Sequence, residues 1–109
     1  MFNDRQLLQT YNQIDEIPIV EQTNLNDFTT TGMWQFTDPV ETWQQWNYPG
    51  PYWGLLKVYH LKNYVVQIFI SDIHEGPIYR RVLNLDNEND TKVPVGGWSE
   101  WFVQAPGLT

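Results

Sequence analysis

Between Trp43 and Trp53 the chain sets five large rings, Trp43, Trp46, Tyr48, Tyr52 and Trp53, among the amides Gln44, Gln45 and Asn47. Flat rings stack on the apolar faces of sugars and amides bond their hydroxyls, so Trp43, Gln44, Gln45, Trp46, Asn47 and Tyr48 together have the chemistry of a glycan-binding surface. The same rings also fill the core of a small sheet or an interface between subunits, where Trp and Tyr are enriched. Both readings stand at this point. Trp98 and Trp101 read as core or interface, placed by strand alternation on opposite faces of one strand.

The remaining reactive side chains are sparse. His60 has no second ligand at metal spacing. His74, within Asp72-Ile73-His74-Glu75-Gly76, reads as a solvated turn residue. Asp86-Asn87-Glu88-Asn89-Asp90 sets oxygens at alternating positions, as the opening of a calcium loop does. However, Thr91 stands where such a loop has its sixth-position Gly, and Gly97 where it has its bidentate Glu. The stretch therefore reads as an acidic turn with hydrated carboxylates, and neither a metal nor a cofactor is expected. With no cysteine there is no thiol nucleophile, Cys-ligated cluster or disulfide. No G-x-S-x-G, H-E-x-x-H or phosphate-loop pattern occurs, and nothing marks two carboxylates as a catalytic pair. A non-enzymatic protein is expected, with a polysaccharide depolymerase fragment the weakest of the alternatives.

Thirteen acids against six bases give a formal charge of -7 over 109 residues. Nucleic acid and anionic membranes are poor partners for such a chain, because the phosphate-neutralising contribution is missing. Hydrophobic residues at 41% and aromatics at 16% are too many for intrinsic disorder. Met1-Phe2-Asn3-Asp4-Arg5-Gln6 has neither the basic region nor the apolar run of a secretion signal.

These residues need a scaffold, and the sequence divides it in two. Residues 1–16 read as a helical lead, with Leu7, Tyr11 and Ile14 at spacings of four and three behind an Asn3 cap, ended by Pro18. It serves as an amphipathic helix packed on its own domain or as the tail of a coiled coil. Residues 17–109 read as a β domain, with strands at Ile17–Val20, Met33–Phe36, Tyr52–Leu61, Tyr64–Ser71, Tyr79–Leu85 and Trp98–Val103. Lys62-Asn63 makes a two-residue hairpin, and Thr37–Pro51 is a loop long enough to be functional. The strand from Tyr64 is apolar on both faces, which calls for a second layer, either the sheet folded over on itself or a neighbouring subunit. The fold class is thus mainly β: a small antiparallel sheet or barrel-like knob with a short N-terminal helix.

Six pieces then align in order: Asn24-Leu25-Asn26-Asp27-Phe28, Thr31-Gly32-Met33-Trp34, Gly54-Leu55-Leu56-Lys57-Val58, Val66-Gln67-Ile68-Phe69, Tyr79-Arg80-Arg81 and Trp98-Ser99-Glu100-Trp101. Together, over Thr23 to Val103, they resemble the pyocin knob domain, a module of phage tail fibres and contractile bacteriocin fibres. The resemblance implies a threefold β knob in a virion appendage (tail fibre, head fibre or collar), with other virion structural proteins as partners and the phage particle as its location. It implies no enzyme. Under it, Leu7, Tyr11 and Ile14 would lie near the threefold axis or in an attachment socket, and host cell-wall glycan would be the receptor if the knob adsorbs to cells. The rival reading is a free-standing carbohydrate-binding module using Trp43 and Trp46.

Overall fold

A computed structural model describes residues 17–20, 23–36, 43–71 and 74–104. The lead through Leu7, Tyr11 and Ile14 lies outside them. The described chain forms one mainly β sheet with six strands in linear sequence order: β1 Ile19–Val20, β2 Gly32–Phe36, β3 Gly54–His60, β4 Tyr64–Ser71, β5 Ile78–Asn84 and β6 Phe102–Val103. The β-branched and aromatic residues of β3 to β5 suit a pleated, packed surface, and these three long strands carry most of the pairing. Neighbours are antiparallel except β1, which runs parallel to β2. The exception follows from the 3₁₀ turn Leu25–Asp27 between them, which carries the chain across instead of around a hairpin. Gln35 holds β1 in place, its backbone N–H donating to Pro18 O at 2.9 Å and its Nε2 to Ile17 O at 2.7 Å.

Alternation assigns every side chain to a face, because residues paired across antiparallel strands share one. On the first face lie Phe36, Leu56, Val58, Val65 and Phe69, all buried, with Leu25 and Tyr48 brought in from loops to complete the core. Gly54 sits where the sheet admits no side chain: a Cβ there would collide with the Ile70 carbonyl and the Phe69 ring. Among the described residues the covering layer is built of loops and the 3₁₀ turn Leu25–Asp27. The turns around Leu25 and Trp46 are joined by Leu25 N–H donating to Trp46 O at 3.0 Å, and rings interlock at their edges, as in Phe36 against Tyr48 at 5.6 Å and 81°.

The second face has no such cover among the described residues. Its rows follow the register: Gln35, Leu55, Ile70 and Ile78; then Met33, Lys57, Ile68, Arg80 and Phe102; then Tyr59, Val66 and Val82. None of these residues belongs to the core cluster or packs against it. Met33, Tyr59 and Phe102 stand 36%, 42% and 56% exposed.

The last strand departs from expectation. Leu83 bridges Trp98, whereas Arg80 pairs Phe102, so three steps on β5 oppose four on its neighbour. That extra residue is a bulge, held by Ser99 N–H donating to Val82 O at 2.8 Å and Val82 N–H donating to Ser99 Oγ at 3.0 Å. It reverses the alternation, so Trp98 and Trp101 both turn toward the core face, and Phe102 faces the open side.

Candidate functional site

The residues expected to bind sugar form one turn, and the structure gives them unequal tasks. Trp46 and Tyr48 N–H both donate to Trp43 O, at 3.2 and 3.1 Å, which winds residues 43–48 into a compact helical turn. Asn47 ends it in the left-handed region, with φ 63°, a conformation Asn tolerates better than most residues. Its Nδ2 donates to Asn24 Oδ1 at 2.8 Å and its carbonyl accepts Trp101 Nε1–H at 3.0 Å. Asn47 is therefore a junction of three segments rather than a free hydroxyl partner. Asn24 Oδ1 also accepts Asn26 N–H at 2.9 Å, capping the 3₁₀ turn.

Tyr48 is 3% exposed and wedged between Phe36 and Phe69, and burial raises its hydroxyl pKa. Its ring is a core ring, which corrects its place in a ligand surface. Trp43 and Trp46 are half-buried against the same cluster. Trp46 Nε1 is buried without a hydrogen-bond partner. Gln44 and Gln45 alone of the six are exposed.

Beneath this turn lies a polar device that sequence reasoning did not single out. Gln67, fully buried on β4, donates from Nε2 to Leu25 O at 2.6 Å and Phe28 O at 2.9 Å, and its Oε1 accepts Arg81 Nε–H at 2.8 Å. Arg81, opposite Gln67 on β5, is 4% exposed, with its guanidinium carbon 3.9 Å from the Trp98 ring centre and 4.6 Å from that of Trp101. Two ring faces thus hold the cation, and the bulge is what brings both to it. Burial pulls its pKa down to about 9, so it stays charged at neutral pH. Nη2 has no hydrogen-bond partner. The chain of contacts from Trp98 and Trp101 through Arg81 and Gln67 to the 3₁₀ turn fastens the loop layer to the sheet.

The acidic turn is organised rather than merely hydrated. Asn84, fully buried, donates to Asn87 O and Val93 O and accepts Asn87 N–H, each at 2.8 Å. Asp90 Oδ1 accepts Lys92 and Val93 N–H, and its Oδ2 accepts the Tyr64 hydroxyl at 2.8 Å. Donation by Val93, Lys92 and Tyr64 lowers the Asp90 pKa. The bond to Asp90 raises that of Tyr64. Among the described residues no three His, Cys, Asp or Glu side chains converge to hold a metal. His60 lies at the exposed end of β3, its Nδ1 2.7 Å from Thr29 O, and His74 lies in an exposed turn.

The chain is similar in fold to the C-terminal fibre fragment of the R1 pyocin of P. aeruginosa, residues 323–701 of that protein, with a TM-score of 0.59 and 21% identity. The likeness covers 86% of this chain and 23% of the fibre chain, so the protein spans under a quarter of that relative. No protein-family model and no curated protein matches the sequence.

Proposed function

We propose that the protein is a non-enzymatic structural knob of a phage or phage-tail-like particle, assembled as a homotrimer within a fibre-like appendage. The observation that carries this reading is the fold shared with the R1 pyocin fibre over 86% of the chain. The sheet supports it, because one face is closed by loops and the other is apolar and uncovered by the described core. In this reading Leu7, Tyr11 and Ile14 attach the knob to other virion proteins. Adsorption to a cell-wall glycan, where it occurs, falls to Gln44 and Gln45 with the outward parts of Trp43 and Trp46.

A native mass measurement of the full chain tests the assembly. A trimer has three times the chain's 12.9 kDa. A monomer that binds glycans would instead support a free-standing carbohydrate-binding module and overturn the trimeric knob.

A further inference from the structure

Register sets Ile19 beside Gln35, so β1 adds an exposed apolar residue to the open face, which already carries Met33, Tyr59 and Phe102. Four of the eight exposed large hydrophobic residues therefore stand on this one face. It measures about 24 Å along the seven residues of β3 and about 19 Å over the four strand steps from β2 to β6. The chain enters the fold at its edge. Gln35, a side chain of this face, donates from Nε2 to Ile17 O at 2.7 Å, and its backbone N–H donates to Pro18 O at 2.9 Å. Ile17, the first residue after the lead, is thus fastened beside β2 on the open side.

We infer that the open face is the seat of the chain's own lead, residues 1–16, and that the lead is a cover which assembly displaces. The inference rests on the reading above, in which the stripe of the lead attaches the knob to other virion proteins and the open face meets neighbouring copies; it adds that both events compete with one contact inside the chain. Size, charge and tethering select this occupant. Asn3 to Ile14 is twelve residues, a helix about 18 Å long, which fits within the face along the strands or across them. Its stripe, Leu7, Tyr11 and Ile14, needs an apolar partner, and the core face is already closed by the turns around Leu25 and Trp46. The lead carries Asp4, Asp15 and Glu16 against Arg5, whereas the rows of the open face carry Lys57 and Arg80 and no carboxylate. Asp15 and Glu16 alone join Ile14 to the fastened Ile17, and a segment so tethered acts at an effective concentration of about millimolar, far above that of a free copy at micromolar level. A cover seated about nine-tenths of the time leaves about one-tenth of the chains competent and weakens assembly about tenfold.

The chain has no cysteine, so only an introduced pair can react. With Tyr11→Cys in the full chain, a short bis-maleimide should link within one chain to Met33→Cys or Arg80→Cys on the open face at least about tenfold faster than to Gln44→Cys or Gln45→Cys in the turn over the core face. These four partner positions are exposed, and circular dichroism checks that each pair leaves the fold intact. Equal rates on the two sides, or links formed only between chains, overturn the cover. Leu7→Asp combined with Ile14→Asp, which removes the stripe, should bring trimer formation to about tenfold lower concentration. An unchanged midpoint overturns displacement by assembly. A trimer whose lead links no faster to the open face than to the turn refutes the cover while sparing the trimer. A chain that links on the open face, yet is monomeric with and without the stripe, refutes the trimer while sparing the seat of the lead.

Discussion

Replacing Gln67 with Leu keeps the volume of the side chain and removes every polar contact it makes. Phe28 O loses its donor, Leu25 O keeps only the Phe28 N–H, and Arg81 Nε–H loses its acceptor. A buried neutral group left unpaired costs about 1–3 kcal/mol, and a charged one more. Taking about 1 kcal/mol for the Phe28 carbonyl and about 2 kcal/mol for the guanidinium gives a loss of about 3 kcal/mol. Against a stability of about 5–15 kcal/mol for a domain of this size, the melting temperature should fall by about 12–24 °C. Urea unfolding followed by Trp fluorescence measures the free energy. Gln67→Leu combined with Arg81→Met should be less harmful than the two single losses added together, by about 1.5–3 kcal/mol, because the double variant leaves no unpaired guanidinium. A Gln67→Leu cost below about 1 kcal/mol, or strict additivity, would refute the claim that this pair fastens the loop layer to the sheet.

Gly54→Ala forces a methyl against the Ile70 carbonyl and Phe69 ring and should cost about 2–3 kcal/mol, read as a lower urea midpoint with unchanged slope. Trp43→Ala and Trp46→Ala should each destabilise by about 2–3 kcal/mol, less than full burial would give, because the rings are half-buried on the core. Gln44→Ala with Gln45→Ala should leave the melting temperature within a degree or two, so a loss of cell adsorption in that variant alone would report binding rather than folding. For pH, Asp90 has a folded pKa below its ordinary 3.8. Its stabilising contribution is complete above that ordinary value and disappears as pH falls through the lower folded one. Tyr64 has a folded pKa above 10.0, so its contribution holds below pH 10 and is lost as pH rises toward the folded value. Asp90→Asn should flatten the acid limb of stability measured by urea titration between pH 2 and 5.

The strands were legible where side chains are β-branched and the ends are marked: Tyr64–Ser71 follows from its β-branched and aromatic run and from the Lys62-Asn63 connection. Ile17–Val20 and Tyr52–Leu61 shorten in the structure to Ile19–Val20 and Gly54–His60, because residue type fixes a strand's existence better than its ends. The bulge before Trp101 left no mark, since an extra residue is defined by the neighbouring strand and not by its own identity. That single residue moved Trp101 to the same face as Trp98 and so created the site for Arg81. Gln67 and Arg81 are fourteen residues apart, and only the register of β4 against β5 makes them partners. In the turn around Trp46, ring chemistry suits both sugar stacking and core packing. The turn's hydrogen bonds, rather than its composition, send Tyr48 inward and occupy Asn47.

The two-sided apolarity of β4 was visible as a demand for more than one layer. One layer turned out to be the protein's own loops; the lead, displaced in the assembly by a neighbouring copy, is proposed to supply the other. The fold shared with a pyocin fibre supports the proposal that this body belongs to an assembly. The most direct test is to purify particles by density, label them with antibody raised against the chain, and view them by electron microscopy. The account predicts gold at an appendage, with peptides of this chain co-purifying at a fixed ratio to the fibre or collar proteins. Particles that carry neither label nor peptides, with the chain remaining in the soluble fraction, would contradict it.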